Sequence, residues 1–400
     1  GFLARIVVEL REHLPDVLDA LIAAGGHTMG TTNDLGEPQP GDEDLAVLVV
    51  RRTTFEWVLR SAALAEPGVT IRTGTAVAGL EVEPGDLPTV TGVALDDGEV
   101  LDADVVVAAM GRRSPVPEWL GEHGVEIPEK VRPSGLMYLS RWYRLPPGGY
   151  ADLDPKLGGD LQFVKYLGVP GDGDTLSITL AIDPEDGDLR QALSDPDGFE
   201  AACRLLPGPD QFFRDGPLEP VGGIRPMGGL LNRLRTFTDD DGRPRVLGFH
   251  AVGDAHTCTN PLYGRGCSLA VIQALAVAKA LAEHPDDPVA RAEAYEAFSA
   301  KDVTPSYVWA VQMDRAGADP SSAGGDGTGK AMAAVFVAAA TDPVLGRGLA
   351  RFWNLLASAE DLLADSAYTT RMMEVMADPD AYPIPDRLGP SRGELLAALA

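Results

Sequence analysis

The stretch from Arg245 to Ala282 constrains the fold more than any other part of the chain. It opens with an apolar run, Arg245 to Val252, of the kind that lies buried as a strand. That run delivers Gly253-Asp254 at its end. The segment Ala255-His256-Thr257-Cys258-Thr259-Asn260-Pro261-Leu262-Tyr263-Gly264-Arg265-Gly266 then turns, and a helix is expected over about Ser268 to Ala282. A helix start carries unpaired N–H groups and a partial positive charge. It therefore receives an anion or an electron-rich carbonyl. Gly264 and Gly266 let a flat molecule approach the backbone. An ordinary strand–turn–helix with a capping Asp shows the same pattern, so other segments have to decide between the two.

Upstream, an amphipathic pattern predicts helix over about Leu3 to Ala23, broken at Pro15. Residues 30–44 read as a Gly/Pro/Asp loop, Leu45 to Val50 as a strand, and a helix capped by Thr53 or Thr54 as running to about Ala65. Val69 to Thr73 reads as a further strand. Ala76 to Val82, Thr89 to Leu95 and Glu99 to Leu101 read as a meander turning at Asp97-Gly98. Asp104 to Ala109 is a near-continuous apolar run, the mark of a parallel strand buried on both faces. From about Val131 the style changes to strands rich in Tyr, Trp, Phe and Ile: Leu136 to Leu145, Leu161 to Val169 and Thr175 to Asp183. A helix near Asp188 to Leu206 follows. Beyond Pro285 the chain reads as helical, interrupted by a low-complexity loop at 316–329.

Composition sets outer limits. A chain of 400 residues with 45% hydrophobic content has the material for two or three units with real cores. A net charge of −27 argues against nucleic acid and anionic membrane surfaces as partners. Three cysteines, Cys203, Cys258 and Cys267, make no disulfide framework and fit a reducing cytoplasm. No apolar run approaches the roughly 20 residues of a membrane span, and Ala331 to Ala340 reads as a buried helix.

Two further motifs accompany the turn. One is Arg51-Arg52-Thr53-Thr54-Phe55-Glu56-Trp57-Val58-Leu59. The other is Asp102-Ala103-Asp104-Val105-Val106-Val107-Ala108-Ala109-Met110-Gly111-Arg112-Arg113-Ser114. Together with Gly253 to Gly266, in this order, they resemble the flavin monooxygenases and related reductases, the aromatic hydroxylases and geranylgeranyl reductases among them. The resemblance covers most of residues 1–285. It implies an α/β fold: a Rossmann-like FAD domain over 1–130 and 245–285, an inserted antiparallel β-sheet substrate domain over 131–244, and a helical C-terminal region over 286–400. It implies FAD as cofactor. Asp254, with Gly253, would meet the ribityl hydroxyls, and Pro261, Gly264 and Gly266 would lie beside the ring. Arg52 would reach the pyrophosphate or ribityl region, and Gly111 the pyrophosphate. Many relatives carry Asp-Gly where this chain has Met110-Gly111, which puts in doubt any handling of NAD(P)H there, although NAD(P)H stays possible as electron donor.

The family's Gly-x-Gly-x-x-Gly, which seats a pyrophosphate on a helix start, is absent from the sequence. In the family it precedes the segment resembling Gly1 to Ala24, so the expectation is a chain lacking the first βαβ unit. The activity implied is oxygenation of a hydrophobic small molecule. Two alternatives stand beside it: flavin-dependent reduction of a double bond, and a non-catalytic remnant that only binds.

On Leu136 to Arg144, alternation puts Met137, Leu139, Arg141 and Tyr143 on one face. Arg141 and Tyr143 are candidate substrate contacts there, and a plain sheet with an interface Arg explains the same pattern. Gly324 to Lys330 lacks the Ser/Thr and the preceding strand of a phosphate-binding loop, so ATP is not expected. Asp254, His256 and Cys258 alternate but have no fourth ligand at the usual spacing, so no metal is expected. His256 reads as a turn residue near the flavin, and His250 as a core or supporting histidine. Oligomeric state is left open by the sequence.

Overall fold

The computed structural model describes residues 1–32, 35–147, 157–318, 328–383 and 388–400. Most of the low-complexity loop expected at 316–329 lies outside the described residues. The chain opens with helix α1 (Ala4–His13), which stops two residues before Pro15, the first residue of α2 (Pro15–Ala23). Proline lacks an N–H and is at ease where a helix begins. Ile6, Leu10, Val17 and Leu21 form the buried side of this pair. They pack with Leu48 of a small antiparallel sheet, β1 (His27–Gly30) against β2 (Ala46–Val49). Helix α3 (Arg52–Ala65) starts directly after Arg51, which makes no side-chain cap. Thr53 and Thr54, expected as caps, lie inside its first turn.

The meander forms as expected, with β3 (Val77–Glu83), β4 (Thr89–Leu95) and β5 (Val100–Asp102) in sequential order. Val69 to Thr73 does not form a strand: it runs as irregular chain with Val69 46% exposed. Strand β6 (Val106–Ala108) is followed by α4 (Val116–Glu122). The expectation of burial on both faces fails here. Val107 is 45% exposed, and among the described residues β6 has one strand neighbour.

After β7 (Glu129–Pro133) come the long strands β8 (Met137–Arg144), β9 (Gly158–Asp160), β10 (Val164–Gly171) and β11 (Thr175–Ile182). The helix expected over 188–206 is two: α5 (Gly187–Ser194) and α6 (Pro196–Leu205), divided at Asp195, whose carboxylate caps α6. Strands β12 (Glu219–Pro220), β13 (Arg225–Met227) and β14 (Leu231–Arg235) follow. The large antiparallel sheet has the order β12-β8-β11-β10-β9, with β13 also on β8. Its register pairs Leu139 with Leu180, Arg141 with Ile178 and Tyr143 with Leu176. One face therefore carries these side chains into a core with Leu189, Phe199, Cys203 and Phe213. The other face carries Tyr138, Ser140 and Trp142.

Strand β15 (Phe249–Ala251) returns beside β6 in parallel, pairing Phe249 with Val106. A short β16 (Thr257–Cys258) joins β14 and β7 in a three-stranded sheet, which straddles the domain limits expected at 131 and 244. Helix α7 (Gly266–Glu283) follows. By length and composition alone its 18 residues would cross a membrane, a test that a core helix also passes. That qualifies the expectation of no candidate span, and here Leu269, Ile272, Gln273, Val277 and Ala280 of α7 are buried against protein.

The rest is helical: α8 (Pro288–Phe298), α9 (Thr304–Ala318), α10 (Thr328–Ala339), α11 (Pro343–Trp353), α12 (Ala359–Ala364), α13 (Ser366–Ala377) and α14 (Arg392–Leu399). This region folds back over the rest of the molecule. Asn354 Oδ1 accepts from the Ala4 amide at 2.9 Å, and Arg5 donates to the Leu355 carbonyl at 3.0 Å. Arg347 bonds both oxygens of Asp42 and the carbonyls of Leu35 and Glu37.

Candidate flavin site

The parallel pair β6–β15 sets two chain ends side by side. Gly111 opens a single 3-10 turn (Gly111–Arg113) beyond β6, and Gly253 opens another (Gly253–Ala255) beyond β15. Gly253 adopts φ +59°, and a Cβ there would come within 3.2 Å of Ala270 on α7. Its amide donates to Gln273 Oε1 at 2.9 Å, so helix α7 holds the point where the strand releases Asp254.

Asp254 is half-buried. Burial pushes its carboxyl upward, against the opposing pull of a hydrogen bond from Cys258 and the charges of Arg52 and Arg112. The Cys258 thiol is itself pushed up to about 12 by burial and by Asp254, so it stays protonated and donates to the carboxylate. On the other side of Asp254 lies Gly266, the first residue of α7. A Cβ built there would stand 3.7 Å from Asp254 Oδ1. The absent side chain leaves a bare ledge between a carboxylate and a helix start. The N-cap, Arg265, makes no side-chain cap bond. Ser268 Oγ in the first turn is buried with no hydrogen-bond partner among the described residues. The turn Pro261–Tyr263 is closed by Gly264 at φ +66°, and Pro261 and Gly264 are exposed.

The two arginines at the start of α3 have separate partners. Arg51 bonds Asp172 in the β10–β11 turn through its amide at 2.6 Å and its guanidinium at 3.0 and 2.7 Å. Arg52 bonds its own helix neighbour Glu56 at 2.6 Å, with its side chain 77% exposed, and it feels the charge of Asp254. Arg52, Gly111, Gly253, Asp254, Pro261, Gly264 and Gly266 therefore belong to one neighbourhood. Arg141 and Tyr143 do not. Arg141 is 8% exposed and bonds Glu200 at 2.7 Å and the Pro196 carbonyl, while Tyr143 is fully buried edge-on to Phe213. The alternation holds, but α5 and α6 cover the face that carries Arg141 and Tyr143, so these two are not substrate contacts and the plain sheet with an interface Arg accounts for them. Tyr138, on the opposite face, reaches the site instead: its hydroxyl donates to Asn260 Oδ1 at 2.7 Å.

The histidines serve the core. His256 stacks on Phe237 at 5.7 Å and stands 3.8 Å from Glu296, so it is not a free turn residue. His250 packs edge-on to Tyr295, and burial lowers it to about 4.

Sequence reasoning missed the helix that carries the turn. Asp314 on α9 accepts from Asn232 Nδ2 at 2.6 Å, Asn260 Nδ2 at 2.8 Å and the Tyr263 hydroxyl at 2.6 Å. Arg265 is buried and lies 3.9 Å over the Trp309 ring of the same helix, and burial lowers it to about 10. No motif marks Asp314 or Trp309, which sit in a helix of ordinary composition.

The architecture around this site is the fold of the FAD-dependent monooxygenases. PqsL, a probable FAD-dependent monooxygenase from Pseudomonas aeruginosa, superimposes with TM-score 0.59 at 19% identity, over 80% of this chain and 86% of that one. The flavin-dependent brominase Bmp2 superimposes with TM-score 0.61 at 17% identity, over 96% of this chain and 89% of its own. In sequence the chain is 27% identical to Protein Rv3254 of Mycobacterium tuberculosis over 379 residues, 88% of this chain and 74% of that protein. It is also 27% identical to a digeranylgeranylglycerophospholipid reductase of Methanocella arvoryzae, over 59% of this chain and 54% of the reductase. No family model matches the chain.

Proposed function

We propose that this chain forms the cofactor and substrate body of an FAD-dependent monooxygenase acting on a hydrophobic small organic molecule. The observation that carries the reading is the bare ledge at Gly266, 3.7 Å from Asp254 Oδ1 at the start of α7. The donors and acceptors around it fit FAD. Asp254 would hold the ribityl hydroxyls through charge-assisted bonds. Arg52, exposed and outward, offers a planar fork to phosphate. Pro261 and Gly264 present a flat, open edge to a ring, and the positive end of α7 favours negative charge on the ring edge that faces it. Bound FAD would supply the redox chemistry and the reaction with O2. The chain supplies position, exclusion of water and electrostatics. The face of the large sheet turned away from α5 and α6 carries the half-buried Ser140 and Trp142 beside the buried Tyr138, and these are the side chains we assign to the substrate wall. NAD(P)H as electron donor, a cytoplasmic location and the division into flavin, sheet and helical domains belong to the same proposal.

The likeness to a reductase supports a second reading, reduction of an isoprenoid-like double bond. Titrating the purified chain into FAD while following flavin fluorescence tests the shared part. Saturable binding that Asp254→Ala weakens at least tenfold supports the assignment, and equal binding by the variant overturns it. Oxygen uptake with FAD, a reductant and trial substrates then separates the two activities.

A further inference from the structure

We infer that Asp314, on the C-terminal helix α9, is a positioning residue that sets the shape of the flavin turn and ties it to the buried Tyr138, on the face of the large sheet away from α5 and α6. The inference rests on the flavin reading for its consequence, but the geometry that carries it involves this chain alone. Asp314 Oδ1 accepts from Asn260 Nδ2 at 2.8 Å and from the Tyr263 hydroxyl at 2.6 Å, and Oδ2 accepts from Asn232 Nδ2 at 2.6 Å. The network closes on itself. Asn232 Oδ1 takes the Asn260 amide at 2.8 Å. Asn260 Oδ1 takes the Tyr138 hydroxyl at 2.7 Å and the Leu262 amide at 3.1 Å.

Asn260 and Tyr263 bracket Pro261 and Leu262, and Arg265, two residues on, is seated on Trp309 of the same helix. Pro261 and Gly264 are exposed and contribute no side-chain hydrogen bond of their own. Beyond its own backbone bonds, Tyr263 N–H to the Asn260 carbonyl and Gly264 N–H to the Pro261 carbonyl, the turn is fixed to the body through side chains that report to α9. A carboxylate suits the post because all three partners present donors, and an ionised carboxylate only accepts. An amide at 314 would turn a donor toward one of them. Burial and the nearby Asp314 charge both raise the Tyr263 and Tyr138 hydroxyls, which keeps them protonated as donors. A molecule that displaces the Tyr138 hydroxyl would free one acceptor site on Asn260, and so disturb the turn beside the flavin.

The test compares wild type, Asp314→Asn, Asp314→Glu and Leu395→Ala, the last a cavity in the distant sheet–helix core. Hydrogen exchange is measured first, without FAD. Exchange of the peptide spanning 260–266 should quicken about tenfold in Asp314→Asn, the scale of losing a hydrogen bond to a charged group. It should recover in part in Asp314→Glu, which keeps the charge, and stay unchanged in Leu395→Ala. FAD titration follows, with the absorption spectrum of the bound flavin as second readout. Asp314→Asn should bind more weakly and shift that spectrum, whereas Leu395→Ala lowers the melting temperature and does neither. Unchanged exchange at 260–266 in Asp314→Asn, or an equal rise in Leu395→Ala, overturns the inference. Quickened exchange in Asp314→Asn, with no FAD bound by wild type, leaves Asp314 as the keeper of the turn and overturns the flavin reading instead.

Discussion

Arg51 and Arg52 are neighbours in sequence with separate partners, and the difference is measurable. Arg52→Lys keeps the charge but loses the planar fork, so FAD affinity should fall by several-fold in a fluorescence titration at matched salt. Arg51→Lys should leave FAD affinity alone and weaken the fold, because it breaks the two-point contact with Asp172. A larger loss of FAD affinity at Arg51 would mean that the motif's register is off by one. Asp172 also sets a pH dependence. Its burial works against ionisation, yet the bonds from Arg51 and Thr54 prevail and hold it down to about 2. A carboxyl lowered by folding contributes stability that is present above the unfolded value of about 3.9 and lost as pH falls toward 2. Urea titrations at pH 5 and pH 2.5 should therefore differ by about 2 kcal/mol more in wild type than in Asp172→Asn. Equal pH dependence in the two proteins would remove Asp172 from the account.

At the scale of elements, the connection between β15 and α7 is exacting at Gly253. Gly253→Ala forces a side chain into φ +59° and against Ala270 at 3.2 Å. The expected cost is about 1–2 kcal/mol of stability, with displacement of Asp254 and loss of FAD affinity in the same titration. A fully stable variant with intact binding would show that the turn relaxes freely. This connection was legible because several local signals coincide there: an apolar run, Gly253-Asp254, a proline turn and a helix start. The helix break at Pro15 and the three long strands of the large sheet were legible for the same reason, since proline geometry and aromatic or β-branched runs act locally. What the sequence could not carry was context. Val69 to Thr73 has strand composition without a strand to pair with. Val107 belongs to an apolar run whose second face is left open. Alternation placed Arg141 and Tyr143 together correctly, but which face the helices would cover is decided by α5 and α6, some 50 residues further on. Asp314 gave no signal, because a lone acid in a helix of ordinary composition acquires its role only from the three donors that other segments bring to it.

Across the whole molecule, the helical C-terminal region is a brace and not an appendage. Arg347 alone joins α11 to Asp42 and to the carbonyls of Leu35 and Glu37. Arg347→Ala should lower the melting temperature and expose the 35–45 loop to limited proteolysis while leaving the large sheet protected. Proteolysis beginning in the large sheet would contradict that division of labour. The bond from the Ala4 amide to Asn354 spans 350 residues of sequence and has a consequence in time. At the usual pace of synthesis, roughly 5–20 residues per second, α1 leaves the ribosome tens of seconds before its partner is made. Contacts closed over so long a separation form late. The apolar sides of α1 and α2 find their partners by Val271, but the first amide of α1 must wait in the cell with its cap unborn, and this is the interval in which the start of the chain is held least firmly.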